Sequence, residues 1–167
     1  VRSRQYPPSI LDMEASGFGA SSYPIEIGVK RSDGERFCML IKPYDDWKHW
    51  DNSAEALHGI SREHLLRFGS DGGVVCDRLN GFLNAQTAYS DGWVVDNPWL
   101  IQLFARAGRM MTFRLSALEH VLSEAQMKSW HKVKSDLYSR QSRSRHRASV
   151  DAELIQQTFL QTSLASS

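Results

Sequence analysis

Two acids one residue apart, Asp12 and Glu14, close the apolar run in SILDMEASGFG (residues 9–19). On a β-strand, positions i and i+2 share a face, so this spacing aims two like charges at one spot where a core strand ends. Other acids stand at other element ends. Asp96 falls where a later strand gives way to a helix, and Asp151 lies in the first turns of the last helical segment, five residues after His146. Carboxylate oxygens are the ligands that hard cations such as Mg²⁺ and Mn²⁺ prefer. An imidazole, with an unperturbed pKa of ~6.5, moves protons near neutral pH. Taken singly, each residue has a plainer reading: a solvated strand end, a helix cap, an exposed histidine in a basic loop. Their joint occurrence, in order and with suitable elements around each, is what points to a site.

Alternation marks SILDMEA, PIEIGVKR and RFCMLIKP as strands, the last two joined across SDGE, where Asp33-Gly34 is a hairpin signal. KPYDDWKHWDNS reads as a polar, aromatic loop in which Trp47 and Trp50 are candidates for a base-stacking platform or a lid. Two helices follow. SREHLLRF has Ser61 as its cap and Gly69 past its end, and GGVVCDRLNGFLN carries Val75, Leu79, Phe82 and Leu83 at helical spacing. TAYS is a fourth strand. DNPWLIQLFARAG is a helix capped by Asp96 or Asn97, with Pro98 in its first turn, Trp99 toward the core and Gly108 at its end. MMTFRL is a fifth strand, and the remainder from Ser116 is helical, interrupted near SRQSRSRH. A hairpin-linked ladder followed by strands alternating with helices predicts an α/β fold, a mixed sheet with helices on its faces.

With 167 residues, 41% hydrophobic and 23% charged, the chain reads as one soluble domain spanning 1–167, with an irregular lead at 1–8 and a disordered tail at 163–167. No apolar stretch approaches the roughly 20 residues a membrane helix needs, and VRSRQYPPSI lacks the apolar region of a secretory signal, so no membrane partner and a cytoplasmic location are expected. Cys38 and Cys76 have neither metal-ligand spacing nor the density of a disulfide scaffold and are expected to be buried thiols. The net charge of +1 favours no partner, but Lys128–Arg147 holds seven Lys/Arg against the single acid Asp136, a local charge suited to a polyanion.

DMEASG, DNPWL and HRASVDA resemble the three motifs of the DEDDh 3′→5′ exonucleases. Asp12, Glu14 and Gly17 match the first motif, Asp96 and Leu100 the second, and His146, Ala148 and Asp151 the third. LHGIS (residues 57–61) resembles a segment many members carry between the first two motifs. Ala15 and Ser16 stand where the family prefers Thr after the glutamate, Asp91 and Gly92 where His-Asn is usual, and Val95 where Phe is common. None of these departures removes a metal ligand.

The resemblance implies a ribonuclease-H-like fold, a five-stranded mixed sheet flanked by helices. It also implies hydrolysis of single-stranded DNA or RNA from 3′ ends to nucleoside 5′-monophosphates, with two Mg²⁺ (or Mn²⁺) ions. Asp12, Glu14, Asp96 and Asp151 would hold the ions, and His146 would be the general base. Ala15, Ser16 and His58 would meet the terminal nucleotide, and Arg143, Arg145 and Arg147 the phosphates, a contact that weakens with salt. The repulsion between Asp12 and Glu14 would then be offset by bound cations. Two other readings share these residues: an RNA-trimming enzyme like oligoribonuclease or ribonuclease T, and a catalytically silent nucleic-acid-binding module. A polymerase or a second copy of the chain is a conceivable partner on which the residues are silent.

Overall fold

Residues 6–141 and 146–165 are described by the computed structural model. The alternating runs near the start of the chain form one antiparallel ladder of β1 (Ser9–Ala15), β2 (Pro24–Lys30) and β3 (Arg36–Leu40). Gly34 turns the β2–β3 hairpin at φ 93°, a conformation side chains with a Cβ rarely adopt. β4 (Thr87–Ser90) pairs with β1 in parallel and β5 (Arg114–Ala117) with β4, which gives the order β3-β2-β1-β4-β5. β1 is therefore the central strand, and its acids lie at the middle of the sheet.

Alternation along β1 sends Leu11 and Met13 to one face and Ile10 to the other. Leu11 and Met13 join a core with Val75 and Leu79 of α3 (Gly72–Leu83) and Leu100, Leu103 and Phe104 of α4 (Trp93–Ala107). Ile10 packs with Leu118 and with Ala152, Ile155 and Phe159 of α6 (Ala148–Ala165). Each fully buried Leu, Ile or Phe of these cores contributes about 1.5–3 kcal/mol over an exposed one. Asp12 and Glu14 belong to the α6 face, so the last helix and the first strand meet where the acids are. Beside α6 runs α5 (Glu124–Ser139), opened by a capping box between Ser123 and Gln126.

Several expectations are corrected. The 43–51 loop is followed by α1 (Asn52–His58), capped by Asp51, before α2 (Arg62–Phe68), which starts at Ser61 as expected. Trp47 is not a platform: it is 7% exposed and stacks on Tyr23 with ring centroids 5.3 Å apart. α4 begins at Trp93, whose Nε1 donates to the Leu115 carbonyl, and Asp96 donates its amide to Gly92, so Asp96 sits inside the first turn rather than at the cap, and Pro98 lies within the helix. β5 starts later than MMTFRL, because parallel pairing of Thr87 with Arg114 sets its register while Phe113 is buried against Phe104. The segment expected to be a disordered tail is helical through Ala165, tied by Gln126 Nε2 donating to Ser163 Oγ. Cys76 is buried, but Cys38 is exposed, since it projects from the edge strand β3 opposite the buried Phe37. No described helix is long and apolar enough to cross a membrane.

Candidate active site

Asp12 and Glu14 project from β1 onto the face covered by α6, and Asp151, in the first turn of that helix, meets them there. One carboxylate oxygen from each of the three lies within 4.8 Å of the others. A register shift in β1–β2 pairing falls between Glu14 and Ala15, so the strand bends away directly after its second acid. Burial pushes all these groups up, because a charged carboxylate loses its hydration there. Asp12 is raised well above its ordinary value, by burial first and then by Asp96, Glu14 and Asp151. Glu14 is pushed up to about 9 by burial and by Asp151, against a small opposing effect of Arg147. Burial also raises Asp151, while the charge of His146 and a hydrogen bond with Tyr138 oppose the rise.

Asp96 stands beside this trio rather than within it. Its carboxylate accepts a 2.6 Å hydrogen bond from Ser90 Oγ at the end of β4, and burial pushes it up to about 7. Asp91, also close enough to raise Asp12, Asp96 and Asp151, is paired with Lys134 of α5. Here the second motif departs from the family pattern, and the acid found there has its own cation.

The start of α6 is held by groups the sequence reading did not single out. Glu26, on β2 across from Glu14, is completely buried. It accepts Nε and Nη2 of Arg147 and, at 2.7 Å, the backbone amide of Ala148, the first residue of the helix. Gly28, across from Asp12, lies flat under the helix: a Cβ there would sit 2.1 Å from the Ser149 nitrogen. Arg147 is thus ion-paired to a buried acid, while its own side chain remains 37% exposed. Arg143 and Arg145 lie outside the described residues. The signal for Glu26 was present in PIEIGVK, a lone acid in an apolar strand on the same side as a glycine, and a buried acid needs partners.

His146 precedes this helix start with φ 60°, an uncommon conformation for a residue with a side chain. It lines two cavities. One, of about 270 Å³, is walled by Met13, Glu14, Ala15, Phe18, Leu57, His58, Val95 and Trp99. The other, of about 250 Å³, is bounded by His131, Lys134, Ser135 and Tyr138 of α5. His146 therefore stands between an apolar pocket, with Glu14 at its edge, and a polar one.

Of the residues expected to meet a nucleotide, Ala15 and His58 line the apolar cavity. His58 Nδ1 accepts the Ile60 amide, which puts the ring proton on Nε2, and burial lowers its pKa. Ser16 is completely buried, and its hydroxyl bonds His49 and accepts the Tyr23 amide; its own amide goes to the Tyr23 carbonyl. Its role is to fasten the strand end to the 43–51 loop. Trp50 donates to Glu55 and faces the His58 ring edgewise, whereas Trp99, read as core, borders the cavity.

The donor set fits a hard divalent cation. Three carboxylates converge, two half-buried and one buried, and Asp151 Oδ1 is a buried acceptor with no hydrogen-bond donor among the described residues. Oxygen donors of this kind are what Mg²⁺ and Mn²⁺ select.

No family model and no curated protein matches this chain. Among solved structures, E. coli exonuclease I in complex with a dT13 oligonucleotide is similar over 97% of this chain and 41% of that one, with a TM-score of 0.69 and 12% identity. The zinc-bound form of the E. coli exonuclease I–single-stranded DNA complex matches with a TM-score of 0.68 and 13% identity over 97% of this chain and 41% of that one. A product-bound exonuclease I structure has a TM-score of 0.58 and 16% identity over 80% and 33%. The chain thus spans 33–41% of the length of these structures, and the likeness is one of fold. Its mixed α/β architecture is the ribonuclease-H-like one.

Proposed function

We propose that this chain is a metal-dependent 3′→5′ exonuclease that hydrolyses single-stranded nucleic acid to nucleoside 5′-monophosphates. The observation that carries the reading is the convergence of Asp12, Glu14 and Asp151, from opposite ends of the sequence, in a half-buried cluster beside His146. The fold it shares with exonuclease I structures that hold oligonucleotides supports it.

Asp12, Glu14 and Asp151 would hold the cations, with Asp96 alongside, steadied by Ser90. Two bound Mg²⁺ or Mn²⁺ would supply Lewis acidity toward the phosphate and toward the attacking and leaving oxygens. The chain's own contribution is alignment and proton handling. The apolar cavity takes the terminal nucleoside, its sugar and base against Leu57, Val95 and Trp99, with neutral His58 as a hydrogen-bond donor from Nε2. This places the scissile phosphate at the mouth shared by Glu14 and His146. A ring nitrogen of His146 would take the proton of the attacking water as the bond from phosphorus to the 3′ oxygen of the remaining strand breaks, and that oxygen would take up a proton from solvent to become the new 3′ hydroxyl.

The test is incubation of a 5′-labelled single strand with Mg²⁺ or Mn²⁺, with and without chelator, beside the Asp12→Asn variant. The expected result is a ladder shortening by single nucleotides from the 3′ end, abolished by chelator and by the substitution. Intact oligomer in every lane would overturn the reading. Matched DNA and RNA strands in the same assay assign the sugar.

A further inference from the structure

Glu26 is a carboxylate with no solvent exposure, yet it lies outside the cluster that would hold metal: its oxygens are taken by Arg147 and by the Ala148 amide. Cys38 Sγ adds a longer contact at 3.8 Å, but the four shorter ones all come from the start of α6. They connect two parts of the chain 121 residues apart, β2 and the first residues of α6. A helix start has unpaired backbone amides that normally take a local cap. Here an acceptor reaches in from the sheet instead, so the origin of α6 is set relative to β1 and β2. Gly28 completes the fit by letting the helix backbone rest on the strand.

What is set by that origin is the site. Asp151 donates its amide to the Arg147 carbonyl, so its position follows directly from where Arg147 is held. His146 is the residue before Arg147. We propose that Glu26, through its fork with Arg147 and its bond to Ala148, is the positioning residue that sets Asp151 against Asp12 and Glu14 and aims His146 at the same place. Glu26 touches neither cation nor substrate. The inference rests on the nuclease reading above, since it assumes that the cluster holds metal.

Charge and geometry make opposite predictions for one variant. Arg147→Met removes a positive charge beside the acids, which by electrostatics alone tightens cation binding; loss of the fork loosens it. We expect Mn²⁺ affinity, measured by calorimetry on the folded protein, to fall about 10- to 100-fold, the usual cost of losing a group that orients a ligand. In nuclease assays of Glu26→Gln, kcat should fall while KM for an oligonucleotide holds, because Glu26 is fully buried. Arg147→Lys keeps the charge but not the planar fork and should show a smaller loss in the same direction. It also serves where Arg147→Met does not fold. The double variant Glu26→Gln/Arg147→Met, which restores charge balance, should bind Mn²⁺ no more weakly than Arg147→Met alone, as expected for two members of one device. Unchanged or tighter Mn²⁺ binding in Arg147→Met and in Arg147→Lys overturns the positioning role and leaves the nuclease reading intact. A wild-type protein that neither binds Mn²⁺ nor shortens oligomers overturns both.

Discussion

At the scale of single residues, the proposed site separates groups that would hold cations from the group that would move a proton. His146 is not one of the three converging carboxylates, yet it lines the cavity that Glu14 borders. Replacing it with alanine should therefore lower kcat by about 10²- to 10⁴-fold, the range for loss of a positioned general base, while Mn²⁺ still binds. Calorimetry and single-turnover digestion of the same sample check this, and loss of binding together with activity would make His146 a structural residue instead. The spacing of Asp12, Glu14, His146 and Asp151 was legible in the chain because strand alternation and the start of a helix are local geometry. Glu26 and Ser90 were not, since their importance comes from what lies opposite them in space: Arg147 and Ala148 for one, Asp96 for the other. The ion pair of Arg147 with Glu26 was hidden in the sequence for the same reason. An arginine beside a histidine in a basic stretch looks solvated until a buried acid is found across the sheet.

At the scale of elements, the close approach of α6 to β2 is the contact that assembles the site, and Gly28 is its weak point. An added methyl would sit 2.1 Å from the Ser149 nitrogen and 2.2 Å from the Ala148 carbonyl carbon, both backbone atoms that cannot swing aside. Gly28→Ala should cost on the order of 1–3 kcal/mol as forced overpacking. For a chain of this size each kcal/mol lowers Tm by about 2–4 °C. Because the displacement falls at the helix start that carries Asp151, nuclease activity should drop well beyond the loss of folded protein. A folded Gly28→Ala variant with wild-type kcat would show that the helix shifts without consequence for the acids. Strands were read correctly where a hairpin or a run of alternation defined them, as in β1, β2 and β4. The misread boundaries of α4 and β5 depend on tertiary anchors. α4 starts early because Trp93 reaches the Leu115 carbonyl, β5 starts late because β4 sets its register, and α1 is a seven-residue helix, too short for a periodic signal, that starts at its Asp51 cap.

At the scale of the whole molecule, a buried cluster of acids makes folding stability depend on pH in the direction opposite to ordinary salt-bridged carboxylates. In the folded protein Glu14 is pushed up to about 9 and Asp96 to about 7, and Asp12 is raised as well, with burial the main cause in each. In the unfolded chain such groups release their protons near their model values of about 3.9 to 4.3. Between those limits the folded state binds more protons than the unfolded state, so the slope of unfolding free energy against pH is negative. Without metal, stability should decline as pH rises from about 4.5 through about 7 and on toward about 9. Cations act against this trend, since they bind the deprotonated cluster and bind only the folded state. At a hundredfold excess over Kd they add about 2.7 kcal/mol. Thermal melts in chelator at about pH 5.5 and about pH 8 should show the lower Tm at the higher pH, and Mn²⁺ should raise Tm more at the higher pH. Asp12→Asn should flatten the chelator curve by removing one of the repelling charges and should shrink the Mn²⁺ effect with it. A metal-free protein that grows more stable toward pH 8 would mean that the acids are already compensated from within the fold, leaving no deficit of positive charge for a divalent cation to fill.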